Sequence, residues 1–235
     1  MPEPLRGQLG GRGGAIRREI RTPRAAGVAG LVFSGLLVVA LVLVREAVGA
    51  RPSDGGAWLT DPAHRTSAQV ALGLLPFAAI AFLWFIGVVR DYIGDREDRF
   101  FASVFLGSGL LFLAMLLAAA ALAAGLIGSG KQGNDNALLA NGVWGVARHA
   151  MNTLIDESMR LAAVFMVSTS TVLIRSGTAP RWLTVSGYLI AAVLLLVVGT
   201  VPWVEVLFPV WVMLVSVHIL RAGYRRPPPA STGAG

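Results

Sequence analysis

The chain has 235 residues, 55% of them hydrophobic and 14% charged, with a mean hydropathy of +0.67 and a formal net charge of +7. A soluble domain carries about a quarter charged residues, so this composition excludes an ordinary globular surface. The absence of cysteine excludes disulfides, thiolate nucleophiles and thiolate metal sites.

Apolar residues come in long blocks, and ~20 helical residues cross the ~30 Å hydrocarbon core of a bilayer. Six such blocks follow one another: residues 25–44, 68–89, 102–127, a fourth that starts between 155 and 161 and ends at 174, then 182–198 and 204–220. A lone chain in lipid must satisfy its backbone groups internally, which leaves helices or closed barrels. The blocks do not alternate over ~10 residues as barrel strands do. The expected fold is therefore all-α: a multi-pass bundle of six transmembrane helices in the cell membrane, residues 25–220. It is flanked by a basic tail, 1–24, and a Pro-rich tail, 221–235, both of a composition that stays disordered.

The first block follows Arg17-Arg18, and Val48-Gly49-Ala50 resembles a cleavage site. At about 20 residues the block exceeds the ~7–15 of a signal-peptide core, so it is read as a retained span. Small residues stand one turn apart at Gly30/Ser34, Ser103/Gly107 and Gly187/Ala191, a spacing that lets helices approach closely in lipid. Pro76 and Pro209 fall inside the second and sixth spans, where proline kinks a helix.

Between spans two and three, "RDYIGDREDRFF" sets Arg90, Arg96 and Arg99 against Asp91, Asp95, Glu97 and Asp98. It reads either as a self-paired solvated turn or as a contact for a partner, with Arg90, Asp95, Arg96 and Asp98 as the docking candidates.

The most informative stretch is "HAMNTLIDESMRLAAVFMVSTSTVLIR", residues 149–175. Residues 161–174 alone make only ~21 Å of helix, so a full span reaches back to about 155. Asp156, Glu157 and Arg160 then lie in its outermost turns, with Asp156 and Arg160 in the favourable i,i+4 order for pairing. Upstream, Leu139, Val143, Val146/Ala147, Ala150/Met151 and Leu154 recur at helical spacing. This predicts an amphipathic helix that either lies on the outer surface or continues the fourth span. Ionisable groups inside a membrane are candidates for function. Asp156, Glu157, Arg160, Ser168 and Thr171 are accordingly the candidate solute-contacting residues. The competing reading is structural: acids at the start of a helix, and hydroxyls bonded to their own backbone.

Orientation follows the Lys/Arg bias of short connections. With the N-terminus in the cytoplasm, fourteen of the 20 basic residues lie inside: six up to Arg24, three over 90–99, two over 175–181 and three after Leu220. Both termini are then cytoplasmic. Trp182 and Trp203 sit where indole rings anchor at the interface. The basic charge is thus accounted for by topology, with anionic lipid as a further partner of the tail, rather than by nucleic acid.

Catalytic signatures fail on spacing. "DESMR" is one residue short of the paired-acid pattern of intramembrane prenyl-type proteases. Ser108 with His218 lacks the glycine two before the serine that rhomboid-like proteases carry, Leu106 standing there instead. His64, His149 and His218 form no ligand motif, and no phosphate-binding glycine loop is present. An enzyme is not expected, nor a cofactor or metal.

"RSGTAPRWLTVSGYLIAAVLLL", residues 175–196, has a polar turn, Pro-Arg-Trp-Leu, and Gly-Tyr within an apolar helix. In this it resembles a broad group of uncharacterised bacterial six-span integral membrane proteins. The likeness covers the last third best and extends by span order over residues 25–220. It implies a six-helix inner-membrane architecture and carries no activity. Two functions remain open: a small permease-like or solute-handling protein, or a non-enzymatic scaffold or accessory subunit that docks a membrane-protein partner or a second copy of itself.

Overall fold

The computed structural model describes residues 23–48, 62–93, 99–131, 143–177, 179–201 and 203–224. These form α1 (Pro23–Val48), α2 (Pro62–Ile93), α3 (Arg99–Lys131), α4 (Val143–Arg175), α5 (Arg181–Val197) and α6 (Leu207–Tyr224), the last led by a 3-10 turn, Val204–Val206. No strand occurs among the described residues. The two tails fall outside them, except that Pro23, Arg24 and residues 221–224 are helical. Leu139, Asp95, Arg96 and Asp98 also lie outside the described residues.

Among the described residues five helices are long and apolar enough to cross a membrane, over Gly27–Val44, Ala63–Arg90, Ser103–Gly128, Gly145–Arg175 and Val204–Ala222. These make the chain a multi-pass membrane protein by length and composition. The remaining apolar helix, Arg181–Val197, has 17 residues, the lower limit for a crossing. It stops where Gly199 takes a φ of 84°, a left-handed conformation that closes a helix end.

Successive helices run antiparallel. Phe33 meets Phe82 and Gly30 faces Phe85 between α1 and α2; Ser170 faces Gly187 and Asp156 lies on Gly199 between α4 and α5. α1 packs along both α2 and α6, so the circuit of helices closes. The end where α1 begins and α6 finishes is called here the termini end, and the opposite one the far end.

The centre of the bundle is aromatic. Phe33, Phe82, Phe85, Phe105, Phe112, Phe165 and Phe208, from five helices, are all buried. Phe82 is the hub, with ring centroids 4.5 Å from Phe33, 5.2 Å from Phe112 and Phe165, and 6.0 Å from Phe208. In lipid the hydrophobic effect does not drive helices together, so close packing must do so. Edge-on and tilted ring pairs add ~0.5–1.5 kcal/mol each beyond the area they cover.

Two of the three small-residue pairs serve this packing. Gly30 faces Ser216 of α6 and Phe85 of α2, and Gly187 faces Ser170 of α4 and Trp211 of α6. The third does not: a Cβ on Gly107 would meet nothing within 4 Å. On α3 the close approach is at Gly109, where a Cβ would lie 2.7 Å from Ile86 Cδ1.

The prolines also divide. α2 runs unbroken through Pro76. Pro209 is the third residue of α6, where a missing N–H costs no intrahelical bond. The kink expected in the sixth span is therefore replaced by a helix start.

α4 settles the choice left open for residues 143–155. They continue the long helix rather than forming a separate surface one, because Met151 is buried against Ala68, Leu126 and Ile127, with Leu72, Ala123 and Ala147 around them. This second, smaller core ties the far ends of α2, α3 and α4 into a three-helix extension. The apolar stripe is only partly used, since Val146 is 73% exposed.

Candidate functional site

Helix lengths create a step at the far end. Counted from the phenylalanine layer, α2, α3 and α4 rise ~28–33 Å toward this end at ~1.5 Å per residue. The α5–α6 turn sits only ~10 Å above the same layer, because α5 stops at Val197 and α6 begins within four residues of Phe208. The turn is therefore recessed, and the polar side of α4 stands over it as a wall.

On that wall His149, Asn152, Thr153 and Glu157 are exposed, while Asp156 and Arg160 are half-buried. Thr153 donates a hydrogen bond to the His149 carbonyl at 3.0 Å. The expected Asp156–Arg160 contact is not the one formed. Arg160 pairs with Glu157, one turn away on the exposed side. Asp156 turns instead to the α5–α6 turn. Its Oδ2 lies 2.7 Å from where a Cβ on Gly199 would stand. Only glycine satisfies both demands at position 199, a φ of 84° and room for a carboxylate.

Glu205, in the 3-10 turn, is half-buried and acts electrostatically on Asp156, as do Arg160 and Glu157. It stands three residues before Phe208, ~5–6 Å along the chain from the aromatic layer. That places it nearer the aromatic layer than the far ends of α2, α3 and α4 are. The signal was the shortness of the fifth apolar block, which pulls the following turn inward. Trp203, just ahead of Glu205, holds a left-handed φ of 71°, a conformation that costs a non-glycine residue ~1–3 kcal/mol. Its place in a turn that must reverse within six residues accounts for the strain.

Ser168 and Thr171 lie on the other side of the layer, ~5 and ~9 Å past Phe165 toward the termini end. Between Asp156 and Ser168 the buried residues of α4 are mostly apolar: Met159, Ala162, Ala163, Phe165 and Met166, with Ser158 bonded to the Ile155 carbonyl at 2.7 Å. The candidate residues thus form two groups, not one path.

The hydroxyls of the second group are largely satisfied within α4. Ser168 donates to the Val164 carbonyl at 3.0 Å, Thr169 to Phe165 at 2.7 Å and Thr171 to Val167 at 2.8 Å. With its own proton so used, Thr171 accepts from the Tyr188 hydroxyl of α5 at 2.8 Å. Ser170, fully buried against Gly187, makes no hydrogen bond among the described residues. Tyr188, on the neighbouring helix, is the member of this group that the sequence did not single out. Ser108 donates to the Val104 and Phe105 carbonyls of its own helix, an ordinary buried serine.

Among the described residues no three His, Cys, Asp or Glu side chains are grouped to hold a metal ion. Of the candidates in the α2–α3 connection, Arg90 is exposed in the last turn of α2. No family model matches the chain, and neither a curated protein nor a solved structure does.

Proposed function

We propose that the chain crosses the membrane six times with both termini in the cytoplasm and works as a small permease-like, solute-handling protein. Solute enters from the outside through the notch between the α4 wall and the recessed α5–α6 turn. The observation that supports this best is Asp156 on Gly199 with Glu205 acting on it, two half-buried carboxylates brought together among apolar helices, where ionisable groups are costly and seldom without use. Three acids, Asp156, Glu157 and Glu205, against the single Arg160 favour a cationic solute such as a small amine. The phenylalanine layer closes the way to Ser168 and Thr171, so passage requires Phe165 and Phe208 to part.

Asp156→Asn keeps the shape of the side chain and removes its charge. Losing a charged partner weakens solute binding ~tenfold or more while the amount of folded protein is unchanged. Thermal-shift titration of the purified chain with small amines, followed by uptake into vesicles, measures both. Equal response of both proteins to every amine rejects this reading.

The alternative, a scaffold or accessory subunit, is favoured by a different observation: the aromatic layer is continuous across five helices, and Ser168, Thr169 and Thr171 spend their protons on their own helix. Purification from native membranes with a stoichiometric membrane-protein partner supports it over the permease.

A further inference from the structure

The outward apolar surface of the bundle is not equally tall all round. Heights follow from residue counts along each helix from the phenylalanine layer, at ~1.5 Å per residue. At the termini end the flanks agree. Arg90, in the last turn of α2, and Arg181, the first residue of α5, stand ~12 and ~16 Å from the layer.

At the far end they do not. On α2 and α3 large apolar side chains stay exposed as far as Val70 and Leu122, ~18 and ~15 Å above the layer. No charged residue lies between Arg99 and Lys131, so α3 remains uncharged well beyond Leu122. On α5 one face carries Trp182, Val185, Leu189, Val193 and Leu196, all exposed. Gly187, lying against Ser170, sets the level of this helix. Leu196, 83% exposed, is then only ~6 Å above the layer, and α5 stops at Val197.

A 17-residue helix is ~25 Å long, short of the ~30 Å of hydrocarbon in an unperturbed bilayer. α3 and α5 both pack along α4, so one membrane must meet the two heights within ~20 Å, about two helix diameters. A bilayer meets a short apolar segment by thinning.

We infer that the bilayer is thinned by ~5–10 Å along the α5 flank at the far end, its headgroups lowered there to the level of Arg160 and Asp156 on α4. The partner of this flank is the lipid itself, fitted by short or disordered acyl chains. The inference needs only that the bundle sits in a bilayer. It does not depend on which end faces the cytoplasm or on what the notch binds.

The test is depth-resolved spin labelling of the purified full chain in vesicles of dioleoylphosphatidylcholine. The chain has no cysteine, so Leu196→Cys, Leu117→Cys and Phe77→Cys each carry one label. All three positions are exposed and stand within ~2 Å of one height above the layer. Collision rates with oxygen and with a polar nickel chelate give the depth of each label. Leu196 is expected ~5–10 Å nearer the aqueous phase than Leu117 and Phe77. Because α2 and α3 supply one reference each, a variant that fails to fold on either leaves the comparison intact. Val185→Cys and Gly107→Cys, toward the termini end, separate thinning from tilt. In a thinned membrane Val185 is no deeper than Gly107; a rigid tilt of the bundle makes it deeper by as much as Leu196 is shallower. Equal depths for Leu196, Leu117 and Phe77 overturn the inference, and so does the tilt pattern. A Leu196 label shielded from both reagents also overturns it, since a second copy of the chain then covers α5 in place of lipid.

Discussion

Gly30→Leu is expected to leave no folded bundle in mild detergent, and Gly30→Ala to lower its stability by ~1–3 kcal/mol, the usual cost of an overpacked contact. α1 lies in the crook between α2 and α6. A Cβ at position 30 would overlap Ser216 Oγ, and it would stand 2.7 Å from Phe85 Cδ2. Neither neighbour yields freely. The Ser216 hydroxyl is bonded to the Val212 carbonyl at 2.7 Å, and Phe85 is fully buried beside Phe82 with ring centroids 6.2 Å apart. Adding Ser216→Ala in the same chain should return part of the loss from Gly30→Ala, because it removes the nearest atom, but should not rescue leucine. Gly107→Ala, facing open space, should change nothing. Unfolding in micelles followed by circular dichroism reads all of these variants. A harmless Gly30→Leu would mean that α1 does not pack on α6 as described.

Phe82→Ala is the second large effect. In a water-soluble protein, truncating a buried phenylalanine costs ~3–5 kcal/mol, part of it lost transfer from water and part the cavity. Here unfolded helices stay in lipid or detergent, which is as apolar as the core. The transfer part largely disappears; the cavity and the lost ring contacts remain, and the expected loss is ~2–3 kcal/mol. Phe77→Ala, one and a half turns away on the same helix but 63% exposed, should cost less than ~0.5 kcal/mol. Similar losses at the two positions would contradict a central aromatic layer.

That contrast also marks what the sequence can and cannot reveal in a membrane protein. The apolar blocks located each α-helix among the described residues, because length and hydropathy alone decide whether a segment can lie in lipid. Which side of a helix faces its neighbours was not readable. Phe77 and Phe82 belong to one block and are chemically identical, and the solvent outside is as greasy as the interior, so no polar face gives the direction away. For the same reason Gly30 and Gly107 look alike in sequence, although only Gly30 stands close against other helices.

The polar cluster on α4 was legible because it interrupts an apolar run. Its pairing was not: i,i+3 and i,i+4 partners are both available to Arg160, which takes Glu157, while Asp156 lies against Gly199, 43 residues further along the chain. Glu205 was visible as a charge, yet its depth depends on α5 being only 17 residues long.

The membrane topology on which the proposed function rests is open to one direct measurement. The chain has no cysteine, so single cysteines can be introduced without background: Val146→Cys, exposed at the far end, and Arg221→Cys, exposed at the termini end. Intact cells are treated with a membrane-impermeant maleimide. Labelling of the first variant without permeabilisation, and of the second only after it, is the predicted result. The reverse pattern, or labelling of both at equal rates in intact cells, would contradict a bundle that spans the membrane with its Asp156 notch facing outward.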